Sequence, residues 1–172
     1  MTPMLVLGLG NPILTDDGVG ILVVREVQSR LLSSPAVSAG EVRRGSLAFA
    51  EASVGGLRLL EVLTGHDRAI LVDAIQTADG CPGEVYRLTP GDFCASLHSG
   101  CSHDVDLFTA LEFGRQLGLA MPQEIVIIAV EVEDVVTFSE QCTPAVEAAI
   151  PRASEMVLQE LGIADHGEGE GA

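Results

Sequence analysis

The sequence predicts an α/β fold: a three-layer αβα sandwich around a mostly parallel, twisted sheet of roughly five strands. Three observations predict it. The runs Met4–Leu7, Ala69–Val72 and Ile125–Val130 are almost wholly apolar, as strands covered on both faces must be. Segments of helical periodicity lie between them, and such alternation implies parallel strands joined by helices. The first run breaks at Gly8-Leu9-Gly10 and restarts as a helix near Val19, which is the opening unit of many open α/β sheets. At 172 residues the chain is expected to be one domain with a real core. That domain spans residues 1–162, and residues 163–172 read as a disordered tail of glycine and acid.

Taken in order, the first strand is Pro3 to Leu9. Val19, Leu22, Val23, Val27 and Leu31 then recur at helical spacing, so a helix is predicted over Val19–Leu32 and ended with the help of Pro35. Residues 36–54 carry a weaker pattern. Val42, Leu47 and Phe49 fit strand character, and Leu47–Ala52 is the second strand. Gly55-Gly56 precedes a short helix, Leu57–Leu63, which stops near Gly65. Ala69–Ile75 is the clearest strand. Asp79-Gly80 and Pro82-Gly83 mark turns. Glu84–Leu88 alternates as a strand does, and its short link to the previous strand makes that pair antiparallel. Residues 90–102 read as loop. A helix from His103 or Asp104 to Leu117 is capped by Gly118. Ile125–Val130 is a buried strand followed by Glu131-Val132-Glu133-Asp134, and Pro144–Leu161 is the last helix.

Charge narrows the partners. With 25 acidic against 9 basic residues the net charge is −16, which argues against nucleic acid and anionic membranes. A cation, a metal or a basic protein segment is favoured. No apolar run is long enough to span a bilayer, and the N-terminus lacks a basic segment followed by an apolar core, so a cytoplasmic protein is expected. Cys81, Cys94, Cys101 and Cys142 show no two-residue spacing and read as free thiols.

Ligands of open α/β sheets bind at the carboxyl ends of the strands. Acidic residues gather there: Asp16 and Asp17 after the first strand, Asp73 at the end of Ile70-Leu71-Val72, and Glu131, Glu133 and Asp134 after Val130. His103 heads a helix after an irregular loop and can reach the same edge. Two carboxylates and an imidazole make a reasonable set of ligands for a divalent transition metal. Capping is the rival role for each Asp, and for Asp16 it is the preferred one. The residues at 131–134 also fit a solvated loop, and His66 and His98 read as surface or structural. Gly8-Leu9-Gly10 lacks the third glycine of a dinucleotide fingerprint, and the acidic pair would repel a pyrophosphate, so nucleotide binding is discounted.

Four segments carry a resemblance. Gly8-Leu9-Gly10-Asn11 with Leu14-Thr15-Asp16-Asp17-Gly18-Val19-Gly20 resembles the opening motif of the nickel-iron hydrogenase maturation endopeptidases. Gly55-Gly56-Leu57-Arg58-Leu59-Leu60-Glu61, Ile70-Leu71-Val72-Asp73-Ala74 and Ser102-His103-Asp104-Val105-Asp106-Leu107 resemble later segments of that family, in the same order. The resemblance runs from about Met4 to Leu161 and makes the domain a peptidase. It implies removal of the C-terminal extension from the nickel-loaded large-subunit precursor of a NiFe hydrogenase. It further implies nickel presented by that substrate and no permanent cofactor; a monomer is expected. Carried over by position, the catalytic, metal-contacting residues are Asp17, Asp73 and His103, with Asp16 a base or cap. Glu51 is the nearest match to an Asp that relatives carry before a glycine pair. The rival functions are a metal-dependent hydrolase of small peptides and a non-enzymatic, metal-binding assembly chaperone.

Overall fold

The computed structural model describes residues 3–33, 47–53, 57–96 and 102–163, with residues 57, 94, 96 and 102–106 described as backbone alone. Among the described residues one sheet contains β1 (Met4–Leu9), β2 (Leu47–Ala52), β3 (Arg68–Ile75), β4 (Val85–Leu88) and β5 (Glu124–Glu131). The strands lie in the order β2-β1-β3-β5-β4. β2, β1, β3 and β5 run parallel, and β4 is antiparallel on β5. The helices are α1 (Val19–Ser33), α2 (Leu57–Leu63), α3 (Pro90–Ser96), α4 (Ser102–Gln116) and α5 (Pro144–Glu160). This is the expected three-layer α/β fold.

The pleat divides the core. Alternate residues of a strand point to opposite faces. Val6 of β1, Ile70, Val72 and Ala74 of β3, and Val126, Ile128 and Val130 of β5 pack with Val23 and Val27 of α1 and Val146, Ala153 and Val157 of α5. The other parity, Leu5, Leu7, Leu71, Ile75, Ile127 and Ala129, packs with Leu59 and Leu63 of α2, Phe93 of α3 and Leu107 and Leu111 of α4. Both faces are covered, which is why the central strands read as unbroken apolar runs.

Three differences from expectation have physical causes. β4 is antiparallel as predicted, but its partner is β5 rather than β3, because β5 already occupies the free side of β3. Residues 90–96, read as loop, form α3. Thr89 and Asp92 make a reciprocal cap, Asp92 N–H donating to Thr89 Oγ1 at 3.2 Å and Thr89 N–H to Asp92 Oδ2 at 3.2 Å. Pro90 opens the helix and buried Phe93 anchors it. Ile163 still packs against the α1–α5 side of the core. Residues 164–172, nearly all of the expected tail, lie outside the described residues, as do Val42, Gly55-Gly56 and His98.

An ion-pair network closes the amino-terminal edge of the sheet. Arg68 at the start of β3 donates to Glu160 Oε2 at 2.8 Å and, through Nη1, to the Glu160 carbonyl at 2.6 Å, so it also caps the last turn of α5. Arg87 of β4 donates to the same carboxylate. The hydrogen bond from Arg87, and the charges of Arg87 and Arg68, hold Glu160 below its ordinary value of 4.5. A depressed carboxylate contributes stability that is present above its unfolded value and lost as pH falls through the folded one. Glu160→Gln is expected to cost about 1–2 kcal/mol near pH 7. The deficit should shrink as pH drops below 4.5. Urea unfolding of both proteins across that range checks this.

Candidate active site

The turn after β1 is shaped by contacts that exclude a Cβ. Gly10 has φ +126°, and a Cβ there would lie 1.8 Å from the Asp17 carbonyl oxygen. A Cβ on Gly20 would lie 2.2 Å from the Val72 oxygen and 2.5 Å from that of Leu9. The start of α1 is thus pressed against β1 and β3, and it touches the residue just before Asp73. Between these glycines, residues Thr15–Gly18 form one turn of 3-10 helix. Thr15 sits at φ +30°, an unfavourable conformation for a β-branched side chain. It is held there by Thr15 N–H to Ser139 O at 2.9 Å and Thr15 Oγ1 to Thr137 O at 2.6 Å.

Asp17 is buried, at 6% exposure, and its Oδ2 accepts the Asn11 N–H at 2.8 Å. In a nucleotide loop an amide in this place would face a phosphate. Here the chain's own carboxylate takes it. Asp16 is fully buried, at 0% exposure, and does something different from the expected cap of its own helix. Oδ2 accepts the backbone N–H of Glu133 at 3.2 Å and of Asp134 at 3.1 Å, and Oδ1 accepts that of Thr143 at 2.7 Å. The Thr143 hydroxyl lies 3.1 and 3.0 Å from the two oxygens. Thr143 is the N-cap residue of α5. Asp16 therefore fastens the turn to the segment after β5 and to the head of α5. A carboxylate with both oxygens so engaged is poorly placed to take a proton from substrate.

Asp73 lies inside β3, within the strand expected over Ala69–Ile75, at 3% exposure, with Oδ1 accepting the Ala74 N–H at 2.8 Å. It has the parity of Leu71 and Ile75, which puts it on the sheet face covered by α4. The side chain of His103 lies outside the described residues, and its backbone is in the first turn of α4. The turn after α4 is tied to the amino edge of the sheet by Gly65 N–H to Ala120 O at 2.8 Å. A fifteen-residue helix is about 22 Å long. That length is enough to cross the sheet from its amino edge toward the carboxyl edge, where Asp17 and Asp73 stand. Among the described residues no three His, Cys, Asp or Glu side chains group as a metal site.

Other acids are distributed otherwise than the sequence implied. Glu131 does not belong to a solvated loop. It is 2% exposed, and it accepts the Thr77 N–H at 2.7 Å and the Thr77 hydroxyl at 3.0 Å, with Gly80 packed on its carboxylate. It shapes the loop that follows β3, a role whose only sequence signal was the turn at Asp79-Gly80. Asp134 Oδ1 accepts the N–H of Val136 and Thr137. Glu51 pairs with Arg25 at 2.8 Å in an exposed, two-bond arrangement. Cys81 and Cys142 are free thiols. Burial, with Asp16 and Glu147 nearby, pushes the Cys142 thiol up to about 11, so it stays protonated near neutral pH and is no thiolate nucleophile.

Fold and site together define an α/β protein that presents buried carboxylates, in place of a phosphate cradle, at the ligand edge of its sheet. The family model for hydrogenase maturation protease (HycI) matches residues 23–160. The Hydrogenase 2 maturation protease of Escherichia coli strain K12 is 30% identical over 159 residues, spanning 92% of this chain and 90% of that protein. The hydrogenase maturating endopeptidase HybD from E. coli superposes with a TM-score of 0.74 at 25% identity, covering 93% of this chain and 92% of that one. A hydrogenase 2 maturation peptidase from Thaumarchaeota archaeon SCGC_AB-539-E09 gives 0.62 at 26% identity, over 94% and 99%. The chain belongs to the hydrogenase maturation protease family. It is a hydrolase, an endopeptidase, which sets aside the non-enzymatic chaperone.

Removing the buried Asp16 carboxylate leaves the backbone N–H groups of Glu133, Asp134 and Thr143 without their acceptor. Asp16→Ala is expected to lose about 3 kcal/mol of stability or more, well beyond the cost of an ordinary surface substitution. Denaturant unfolding of the variant measures it.

Proposed function

We propose that this chain removes the C-terminal extension from the nickel-loaded large-subunit precursor of a NiFe hydrogenase, completing its maturation. The observation that carries the reading is the burial of two carboxylates, Asp17 in the turn after β1 and Asp73 in the neighbouring strand β3. Family membership supplies the class of reaction. Two carboxylates and an imidazole suit a divalent first-row ion and include no thiolate, the ligand type that grips such ions hardest. That donor set fits an ion presented by the substrate rather than one held permanently.

In this reading nickel is part of the substrate, and Asp17, Asp73 and His103 are its contacts on the protease. Backbone donors orient the two carboxylates, Asn11 N–H on Asp17 and Ala74 N–H on Asp73. Gripping the ion fixes the attached chain and so the scissile bond, replacing a chance encounter by a held geometry. Water adds across that bond, giving a new carboxylate on the subunit and a free amine on the released peptide. The thiol of Cys142 takes no part. The protease is assigned to the cytoplasm and to a monomeric state. Its free described thiols fit a reducing compartment, and among the described residues no helix is long and apolar enough to cross a membrane.

Asp17→Ala, Asp73→Ala and His103→Ala are each expected to slow processing of the nickel-loaded precursor by about a hundredfold or more. Mass spectrometry of the precursor reads this directly, and circular dichroism verifies that the variants are folded. Normal processing by all three folded variants would remove the site assignment.

A further inference from the structure

The segment after β5 holds large apolar side chains out in water. Val136 is 77% exposed and Phe138 81%, and Ile13 across from them is 47% exposed. They form one strip. Leu14 and Phe138 make an antiparallel bridge, and Ser139 N–H donates to Ile13 O at 3.0 Å. The strip is also held in place. Asp134 Oδ1 accepts the N–H of Val136 at 3.0 Å and of Thr137 at 2.9 Å, Thr15 grips Thr137 O and Ser139 O, and Asp16 anchors the residues just before. Single exposed apolar residues are ordinary, but a contiguous strip on a braced scaffold marks a binding surface.

Two features say what covers it. The strip begins four residues before Asp17 and shares its turn, so it continues the candidate active site. Its rim is of one sign: Glu133 and Glu140 are exposed and Asp134 is half-buried, while no Lys, Arg or His occurs in residues 1–24 or 116–151. The occupant must bring apolar side chains together with positive charge.

We propose that Ile13, Val136 and Phe138 dock an apolar segment of the precursor that carries Lys or Arg, with Glu133 and Glu140 meeting its charge. This rests on the precursor-processing reading and adds the surface that selects the substrate away from the cleaved bond. The braced conformation means little order is lost when it binds.

Val136→Ser/Phe138→Ser is compared with the wild type and with Leu32→Ser, an equally exposed site at the end of α1. Binding of the nickel-loaded precursor is read by calorimetry and its cleavage by mass spectrometry. The double variant is expected to weaken binding by about tenfold or more and to raise KM with kcat kept. Its thermal midpoint and Leu32→Ser should match the wild type. Glu133→Gln/Glu140→Gln should weaken binding a few-fold at low salt and lose that effect at about 0.5 M salt. Equal binding by wild type and double variant overturns the strip, as does absence of wild-type binding. Loss of self-association in sedimentation, with precursor binding intact, assigns the strip to a second copy and also overturns it. A wild type that binds through the strip and leaves the precursor uncut supports the strip and removes the processing reading.

Discussion

The carboxylate of Asp16 is the contact on which the site depends. It is buried beyond reach of water, and it replaces water for backbone groups from two places remote in sequence, the segment after β5 and the head of α5. The bond is reciprocal, since Asp16 N–H itself donates to the Asp134 carbonyl at 2.9 Å. A charge buried this deeply is tolerable only when hydrogen bonds saturate it. The consequence is rigidity where the chain has otherwise little reason for it: a turn containing Thr15 at positive φ, and a segment bearing exposed Val136 and Phe138.

Rigidity there matters because Asp17 is the next residue. Gly10 and Gly20 let the turn and the start of α1 lie directly on the strand backbones, and Gly20 meets Val72 immediately before Asp73. The strand parity of Asp73 then sets it toward α4. Separate constraints, close glycine packing, the pleat, and a helix long enough to recross the sheet, thus converge on one edge. None of them requires the acidic residues to touch in sequence.

Much of this was legible in the sequence, for identifiable reasons. The central strands were readable because both sheet faces are covered, so apolar runs mark them; α2 was marked by its bounding glycines, and β2, a half-buried edge strand, carried only a weaker pattern. Asp17 and His103 could be singled out because one follows a strand and the other heads a helix, and Asp73 because it is the acidic residue of the clearest apolar strand; the family resemblance joined the three. The partner of β4 was not readable, since antiparallel direction says nothing about which neighbour has a free side. α3 was hidden by Pro90 and Gly91, although Thr89 and Asp92 stood at capping distance. The role of Asp16 was misread as local because its acceptors' partners, Glu133, Asp134 and Thr143, are more than a hundred residues away. Glu131 was misread for the same reason: its partner Thr77, just past the neighbouring strand β3, is 54 residues away in sequence.

The central claim is that these carboxylates and His103 recognise a metal brought by the substrate, and one measurement addresses it most directly. Purified, metal-free protease is incubated with the large-subunit precursor in nickel-loaded and nickel-free forms, and the mass of each is followed with time. The account predicts loss of the C-terminal extension from the loaded form alone. Equal cleavage of both forms, or cleavage that requires a stoichiometric metal bound to the protease itself, would contradict it.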